Sequence, residues 1–331
     1  MNQLSKVVKG LLAIGLSFTF ASQAFAWGGD GHQTVGAIAD QLLAGTPAEK
    51  KLQALLLPGE TLQTAALWAD CAKGFQYCRK ALTPEQQTFI NNNPQHHGYH
   101  YTDVPYELTR YVANTVGTTD HDVVQIIQQS IAALQGNTDA SANPHGFSQR
   151  EAILLLAHLV GDIHQPLHVG AAYLTDGGES KIPTEDDLKS AAVKETQGGN
   201  KLHINGTSRV LHGYWDGDAV KTLMRRRTVK KPADLANSLL ARDNRPVILP
   251  SDLNAAVVSW ADESISSAKI AFQGMGIGEH KDSYPGRNGA TSDGWDVTLP
   301  AAYPKTASYV AAERLLLAGK RLASLLQVSL K

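Results

Sequence analysis

Apolar residues recur at three- and four-residue spacing over four long stretches of the chain, at 31–45, 121–136, 149–165 and 309–327. This spacing places the apolar side chains on one face of a helix. Ser148 stands before the third stretch and Glu151 follows three residues later, which is the capping-box signature of a helix start. The pattern predicts an all-α fold, mainly helical, in a single domain over residues 27–331.

Three segments between the periodic stretches lack this pattern. Residues 174–199 are polar and predict an excursion over the surface. Residues 274–308 are rich in Gly, Pro and Tyr, and we expect them to wrap irregularly over the helices. Residues 200–212 carry an Asn-Gly pair between short apolar runs, a pattern that is compatible with a small β-hairpin.

The first 26 residues have the pattern of a secretory signal peptide. Lys6 and Lys9 precede a short apolar core, and Ala24-Phe25-Ala26 is a small-residue cleavage site. The core is too short for a transmembrane helix, and no later segment is apolar enough to span a bilayer. We therefore expect an exported protein, periplasmic or secreted, that begins at Trp27 and has no stable membrane association.

Composition and charge exclude few function classes. Hydrophobic residues make up 43% of the chain, which is enough for a large core. Lys and Arg number 30 against 31 Asp and Glu, so no global field attracts nucleic acid. One basic cluster, 225–231, is either a solvated helix end or a patch that contacts phosphate.

Two cysteines, Cys71 and Cys78, are the only ones in the chain. An even, close pair in an exported protein favours a disulfide. The alternative is a pair of free buried thiols. A zinc site is less favoured, because no further Cys is present and the nearest histidines come almost twenty residues later.

Histidines and aspartates recur in short motifs that could bind metal. His158 and Asp162 are four residues apart and share a helix face, and His212 and Asp216 repeat this arrangement on a second predicted helix. Buried imidazoles and carboxylates need partners, and a metal ion is one such partner. Nitrogen and carboxylate ligands without thiolate suit zinc, particularly a catalytic site that keeps an open position. A single motif of this kind is weak evidence, because a lone His is more often a hydrogen-bonded core residue.

The order of the motifs is more specific than any one of them. Along the chain stand W-x4-H, WAD, HYTD, HxxxDxxxxxH, GGNK and LHGYWD, from Trp27 to about Asp218. This order resembles that of the zinc-dependent single-strand-specific nucleases and 3′-nucleotidases of fungi, plants and bacteria. The resemblance implies the helical fold of the zinc-dependent phospholipase C/nuclease type, in a bacterial exported member, and three zinc ions in a cleft.

The resemblance also implies three ligand sets. One zinc would be held by Asp70, His100, His158 and Asp162. A second would be held by the amino nitrogen and carbonyl oxygen of Trp27, with His32 and Asp162, so that Asp162 bridges the two ions. The third would be held by His168, His212 and Asp216. Three Zn²⁺ ions and three aspartates would leave a net charge of about +3 at the site. A phosphodiester, which is negatively charged, must arrive at this place.

By resemblance, the zinc cluster activates a water that attacks phosphorus and leaves 5′-phosphorylated products. Asp103 matches a catalytic aspartate that orients ligand or water. Lys73 matches a basic position that meets phosphate, although it could equally be a solvated surface amine. Tyr101 stands where the family has an aromatic residue that could stack a base; its alternative role is core packing. We expect a monomer that acts on single-stranded RNA and DNA and on 3′-nucleotides.

Some residues depart from the family pattern. Val104-Pro105-Tyr106 follow HYTD where further charged residues are usual, and Gly217 follows LHGYWD where a polar residue is common. These changes leave the zinc ligands in place but leave base preference open. Two other functions remain as alternatives: a zinc-dependent phospholipase C, and an exported zinc-binding protein without catalysis. The five-residue gap from Trp27 to His32, and Asp216 in place of a Glu, favour the nuclease.

Overall fold

The structure is a computed structural model that describes residues 27–137, 139–285 and 291–330. The predicted signal peptide, 1–26, lies outside the described residues. Helices dominate the described residues, as the periodicity predicts. The expectation of a mainly helical fold is confirmed.

The helices carry labels in chain order. They are α1 (Gly29–Leu43), α2 (Pro47–Leu55), α3 (Leu62–Ala65), α4 (Trp68–Ala72), α5 (Phe75–Cys78), α6 (Pro84–Asn92), α7 (Val123–Leu134), α8 (Gln149–Asp162), α9 (Glu185–Lys189), α10 (Leu211–Gly213), α11 (Val220–Arg227), α12 (Pro232–Leu240), α13 (Leu253–Phe272) and α14 (Tyr303–Ser329). Two 3₁₀ helices, His96–His100 and Pro166–His168, and one π-helix, Tyr214–Ala219, complete the helical elements of the described residues.

Helix α8 lies in the centre of the molecule. Its start is capped as predicted: the Ser148 side chain accepts from the Glu151 backbone N–H, and Glu151 accepts from the Ser148 backbone N–H. Every residue from Ala152 to Asp162 is buried. Helix α8 packs against α7, α1 and α14. The polar side chains His158 and Asp162 at the end of α8 are consequently placed in the core.

Close approach of two helices depends on a glycine in the last predicted helix. A Cβ at Gly319 of α14 would lie 2.5 Å from the Cβ of Ile38 on α1. Real side chains do not tolerate that separation, so a larger residue would force the two helices apart. This contact fixes α1, and with it His32, against the core.

The strands are short, except for the last two. They are β1 (Val104–Pro105), β2 (Gly170–Ala171), β3 (Tyr173–Leu174), β4 (Lys194–Glu195), β5 (Leu202–Ile204), β6 (Gly276–Pro285) and β7 (Thr291–Thr298). Strands β1 and β2 pair in parallel, β3 and β4 pair antiparallel, and β7 lies between β5 and β6. The long antiparallel pair β6–β7 has register shifts, after Ile277 and after Lys281.

Two expectations for irregular segments are wrong in detail. Residues 274–308 are not irregular throughout, because they contain β6, β7 and the first turns of α14. The predicted hairpin at 200–212 is reduced to one antiparallel bridge between His203 and Val210. The main partner of β5 is instead the distant β7, with which it pairs in parallel along its other edge.

The segment 174–199 is an exposed excursion over most of its length, as expected. Most of the end of this segment is not exposed. Strand β4 pairs with β3 through Glu195 and Tyr173, and this pairing returns the chain to the core. Thr196, Gly198 and Gly199 are buried there. This return places a glycine turn beside the histidine cluster described below.

Cys71 and Cys78 form a disulfide, which confirms the favoured interpretation. The closed loop follows directly after Asp70 and ends at α5. None of the helices in the described residues is both long and apolar enough to cross a bilayer.

Candidate metal centre

The end of α8 supplies two of the predicted ligands. His158 and Asp162 are fully buried, and His158 Nε2 lies 3.2 Å from Asp162 Oδ2. The helix ends at Asp162, and Pro166 opens the short 3₁₀ helix that carries His168. Proline lacks the N–H needed to continue an α-helix, so the chain turns and presents His168 from a new direction.

The first ligand group consists of Asp70, His100 and His158. His100 Nδ1 lies 3.1 Å from His158 Nε2, and Asp70 Oδ1 lies 3.7 Å from His158 Nε2 and 3.9 Å from His100 Nδ1. Asp162 Oδ2 joins the group, 3.0 Å from His100 Nδ1. Helix α4, the first 3₁₀ helix and α8 therefore bring four predicted ligands together.

The second group consists of His32, His158 and Asp162. His32 Nε2 lies 3.2 Å from Asp162 Oδ1, yet neither atom has a hydrogen-bond partner among the described residues. Asp162 thus directs Oδ2 toward the first group and Oδ1 toward His32. One carboxylate with two oxygens aimed at two groups has the arrangement of a bridging ligand.

The third group consists of His168, His212 and Asp216. His212 Nε2 lies 3.0 Å from His168 Nε2 and 3.5 Å from Asp216 Oδ2. The motif lies on helical backbone, as predicted, although not on a regular α-helix: His212 is on the short α10, and Asp216 is on the π-helix. The wider π turn still keeps residues four apart on the same side.

Backbone carbonyls fix the orientation of three histidine rings. The Nδ1 atoms of His158, His168 and His212 lie 2.7, 2.7 and 2.9 Å from the carbonyl oxygens of Ala66, His100 and Gly198. A carbonyl can only accept, so each Nδ1 carries the proton and each Nε2 presents a lone pair to the cluster. This is how metal-binding histidines are held.

These atoms fit metal ions. With each Nδ1 protonated, the lone pairs on His168 Nε2 and His212 Nε2 face each other at 3.0 Å and repel unless a positive centre lies between them. Two ligand atoms of a tetrahedral zinc lie about 3.3 Å apart, given bonds of ~2.0–2.1 Å to nitrogen and oxygen. The separations given above, 3.0–3.9 Å, bracket this value. Within the described part of the chain, Asp216 Oδ2 also lacks a hydrogen-bond partner.

Electrostatics favour the neutral ligand form of three of these histidines, whereas at His158 and His168 burial is outweighed by the charge of Asp162, which raises the pKa of both rings. Burial lowers the pKa of His32 to about 4, that of His100 to about 3 and that of His212 to about 4. These rings are therefore neutral, as metal binding requires. Burial opposes ionisation of Asp162, but the surrounding histidines outweigh it and hold the pKa of this carboxyl well below its usual range.

The remaining predicted site residues lie around these groups. Lys73 Nζ lies 2.7 Å from Asp70 Oδ1 with a side chain only 7% exposed, so it is not a solvated surface amine. Tyr101 is 44% exposed, which argues against a role in core packing. Trp27 is fully buried, and the N–H of the next residue, Gly28, donates to the Asp216 backbone carbonyl.

Gln165 is a site residue that the sequence reasoning missed. Its Nε2 donates to Asp216 Oδ1 at 2.7 Å, and its Oε1 accepts from the Leu167 backbone N–H. The side chain is fully buried. It orients the carboxylate and leaves Asp216 Oδ2 for the third group. The sequence signal that could have identified Gln165 is its position between two histidines in the HQPLH motif.

Glu195 was also missed, because nothing in its surrounding sequence marks it. It forms a side-chain hydrogen bond with the buried Asp103, which requires one of the two carboxyls to hold a proton. Burial and the neighbouring Glu195 raise the pKa of Asp103 well above its usual range, and burial raises that of Glu195. Asp103 is therefore one of a coupled carboxyl pair.

Gly198 connects this pair to the third group. Its backbone N–H donates to Asp103, and its carbonyl accepts from His212 Nδ1. It adopts a left-handed conformation with φ of 56°, which glycine permits. A Cβ there would lie 2.2 Å from the Leu167 carbonyl oxygen. This position therefore requires glycine for both backbone conformation and space.

Comparison with known proteins gives the same family throughout. The profile of the family described as S1/P1 nuclease matches residues 27–331. Endonuclease 1 of Arabidopsis thaliana is 26% identical over 96% of this chain and 91% of its own length. Endonuclease 2 of the same plant is 26% identical over 71% and 67%, and nuclease S1 of Aspergillus oryzae is 26% identical over 60% and 56%.

Replacing Gly198 tests how this turn holds His212. We expect Gly198→Ala to lower the free energy of unfolding by more than the ~1–2 kcal/mol that a left-handed alanine alone costs, because the Cβ also collides with a backbone oxygen. Urea unfolding and zinc content measure the two consequences.

Gly206→Ala is the matched control. Gly206 has φ of 72°, but a Cβ there meets nothing within 4 Å, so only the conformational cost applies. Bound zinc should fall in the Gly198 variant alone. Equal destabilisation and unchanged zinc in both variants would remove the role assigned to Gly198.

Proposed function

Because the chain belongs to the S1/P1 nuclease family, we propose that it is a zinc-dependent endonuclease that hydrolyses single-stranded RNA and DNA to 5′-phosphorylated products. We propose 3′-nucleotidase activity as well. Members of the family are metal-dependent nucleases that act on single-stranded nucleic acids. The nuclease class therefore follows from the family, and the proposal concerns the metal, the products and the substrate range.

The observation that carries the proposal is the position of Asp162 between two ligand groups. Its two carboxylate oxygens face His32 on one side and His100 with His158 on the other. A buried carboxylate with this many imidazoles around it is stabilised by bridging two cations. His168, His212 and Asp216 form a further group nearby, so three zinc ions suit the donor set.

We assign the ligands as follows. One zinc would be held by Asp70, His100, His158 and Asp162, a second by Trp27, His32 and Asp162, and a third by His168, His212 and Asp216. When bound, zinc supplies Lewis-acid stabilisation of charge on the phosphate and lowers the pKa of a nearby water. The third group offers only three protein ligands, which leaves room for substrate or water.

Other side chains would orient the nucleotide. Lys73 keeps a positive charge beside Asp70, where it can pair with a phosphate oxygen. Tyr101 is exposed beside His100 and offers a ring on which a base can stack. The Asp103–Glu195 pair can donate or accept a proton in a hydrogen bond to ligand or water.

The alternative functions have less support. The family profile and the similar proteins named above are nucleases. A zinc-binding protein without catalysis would close each metal with protein ligands, whereas the third group leaves a position open.

Substrate assays separate these functions. We expect the purified protein to cleave single-stranded DNA and RNA, to release phosphate from 3′-nucleotides, and to lose both activities with a chelator. Duplex of the same sequence should react more slowly, because a stiff stacked backbone reaches a recessed cluster less easily. Equal or faster cleavage of duplex would contradict the single-strand preference, and hydrolysis of phosphatidylcholine alone would favour the phospholipase.

Metal content tests the bridging role of Asp162. We expect Asp162→Ala to lose about two zinc ions per chain and His212→Ala about one, because a bridging ligand serves two ions. Elemental analysis measures zinc, and circular dichroism shows whether each variant is folded. Asp162→Asn, which keeps the shape, is the control for packing. Loss of one zinc in each variant would exclude the bridge.

We also propose that the protein is exported, and that removal of residues 1–26 completes the second zinc site. A free α-amine can coordinate zinc, whereas an amide nitrogen has no available lone pair. The buried position of Trp27 supports this proposal: a Cβ at Gly31 would lie 2.6 Å from the Trp27 Cβ, so the indole is held tightly against α1. A Cβ at Gly161 would lie 2.9 Å from His32 Nδ1, so His32 packs equally closely.

The test compares protein that begins at Trp27 with protein that carries one extra glycine before it. We expect the extended protein to hold about one zinc ion fewer and to lose most of its activity. Both proteins contain the same folded residues. As a control, their thermal unfolding temperatures are compared after zinc has been removed with a chelator. Matched zinc content and turnover would contradict a role for the Trp27 amine.

A further inference from the structure

A basic surface lies at the end of α11 and has no part in the functions described so far. We define it as Arg225, Arg226, Arg227, Lys230, Lys231 and Arg242, with the exposed ring of Tyr309 beside them. All these cations are exposed except Arg227, which is partly buried. The left-handed residue Thr228 ends α11 and turns the chain, so the two lysines follow directly after the arginines.

The charge of this basic surface is not neutralised by the chain. Among the described residues, no carboxylate lies within 4.0 Å of any of its six cations, whereas Arg150 and Arg245 at other surfaces pair with Glu or Asp. Partial burial lowers the pKa of Arg227, and the positive charges of Arg242 and Arg226 lower it further. Cations from α11 and from the end of α12 therefore crowd together.

An aromatic ring lies within the same surface. The Arg226 guanidinium is 4.7 Å from the centre of the Tyr309 ring and donates to its hydroxyl at 2.7 Å. Tyr309 is 54% exposed. Uncompensated cations around an exposed aromatic ring are the combination that binds single-stranded nucleic acid through phosphates and stacked bases.

The basic surface is connected to the candidate metal centre by continuous helical backbone. Helix α10, the π-helix and α11 follow without a break from Leu211 to Arg227. Ten residues separate Asp216 from Arg226, or about 15 Å at the rise of a helix. A stacked strand covers that distance in about four or five nucleotides.

The dipole of α11 accounts for only some of the cations in the basic surface. Cations in the last turn of a helix are stabilised by its carbonyls, which accounts for Arg225, Arg226 and Arg227. It does not account for Lys230, Lys231 or Arg242, which lie outside the helix. It also does not account for the exposed Tyr309.

We propose that the basic surface binds the phosphate backbone of single-stranded nucleic acid a few nucleotides away from the bond that is cleaved. The inference rests on the proposed function, because it concerns the same substrate class. It predicts that long strands bind more tightly than dinucleotides and that the difference depends on salt.

The test uses a triple variant, Arg226→Gln with Lys230→Gln and Lys231→Gln, in the zinc-loaded protein. These side chains are exposed, so the fold should be unaffected. The control is Lys50→Gln with Lys51→Gln and Lys189→Gln, which removes the same charge from other exposed positions. KM and kcat are measured for a dinucleotide and for a thirty-nucleotide single strand between 50 and 200 mM salt.

We expect the first variant to raise KM for the long strand roughly 10-fold at low salt and to reduce the salt slope by about 2, with dinucleotide kinetics unchanged. The control variant should behave as the unchanged protein. Long-strand kinetics equal to those of the control would overturn the proposal. If the unchanged protein does not hydrolyse the dinucleotide, the proposed function fails instead.

A lipid surface is the other polyanion to test. Vesicles that contain phosphatidylglycerol are added to the unchanged protein and to both variants in a sedimentation assay. Nucleic-acid binding predicts no difference among the three. Vesicle binding that is lost only in the first variant, with long-strand KM unchanged, would assign the basic surface to lipid and overturn the proposal.

Discussion

The structure depends on one fully buried carboxylate, Asp162, which faces imidazoles from α1, from the 3₁₀ helix at 96–100 and from its own helix, α8. Its oxygens lie 3.0–3.2 Å from nitrogens of His32, His100 and His158. A cluster of this kind is costly to bury unless cations occupy it, because lone pairs and charges then face one another out of water. The metal proposed for catalysis would therefore also stabilise the packing of α1 and α8 and the 3₁₀ helix at 96–100.

Support for the cluster comes from backbone as much as from side chains. Carbonyl oxygens of Ala66, His100 and Gly198 set the tautomers of three histidines. Gln165 sets the direction of Asp216. Ala66, Gln165 and Gly198 lie in turns and His100 lies in a 3₁₀ helix, so segments outside the long helices orient the ligands. This arrangement suits a site in which ligands must be positioned before the ions and substrate arrive.

The repeated apolar spacing predicted α1, α7, α8 and most of α14, and the cap at Ser148 located the start of α8. It did not single out α13, although that helix is 20 residues long. The sequence did not predict the β6–β7 pair. Residues 276–285 are polar and glycine-rich, and the strand with which they pair shows no clear alternation of apolar and polar residues. The π-helix was missed since residues four apart share a side in both helix types. Motif order identified the clustered His and Asp residues, but Glu195 reaches Asp103 only through the pairing of β3 with β4, which no local pattern encodes.

The most direct test is the anomalous scattering of crystals of the protein beginning at Trp27, measured on both sides of the zinc absorption edge. The account predicts three zinc peaks, one in each ligand group, with two of them at opposite oxygens of Asp162. A single peak, or zinc bound only away from Asp162, would contradict the central claim that this carboxylate joins two metal ions.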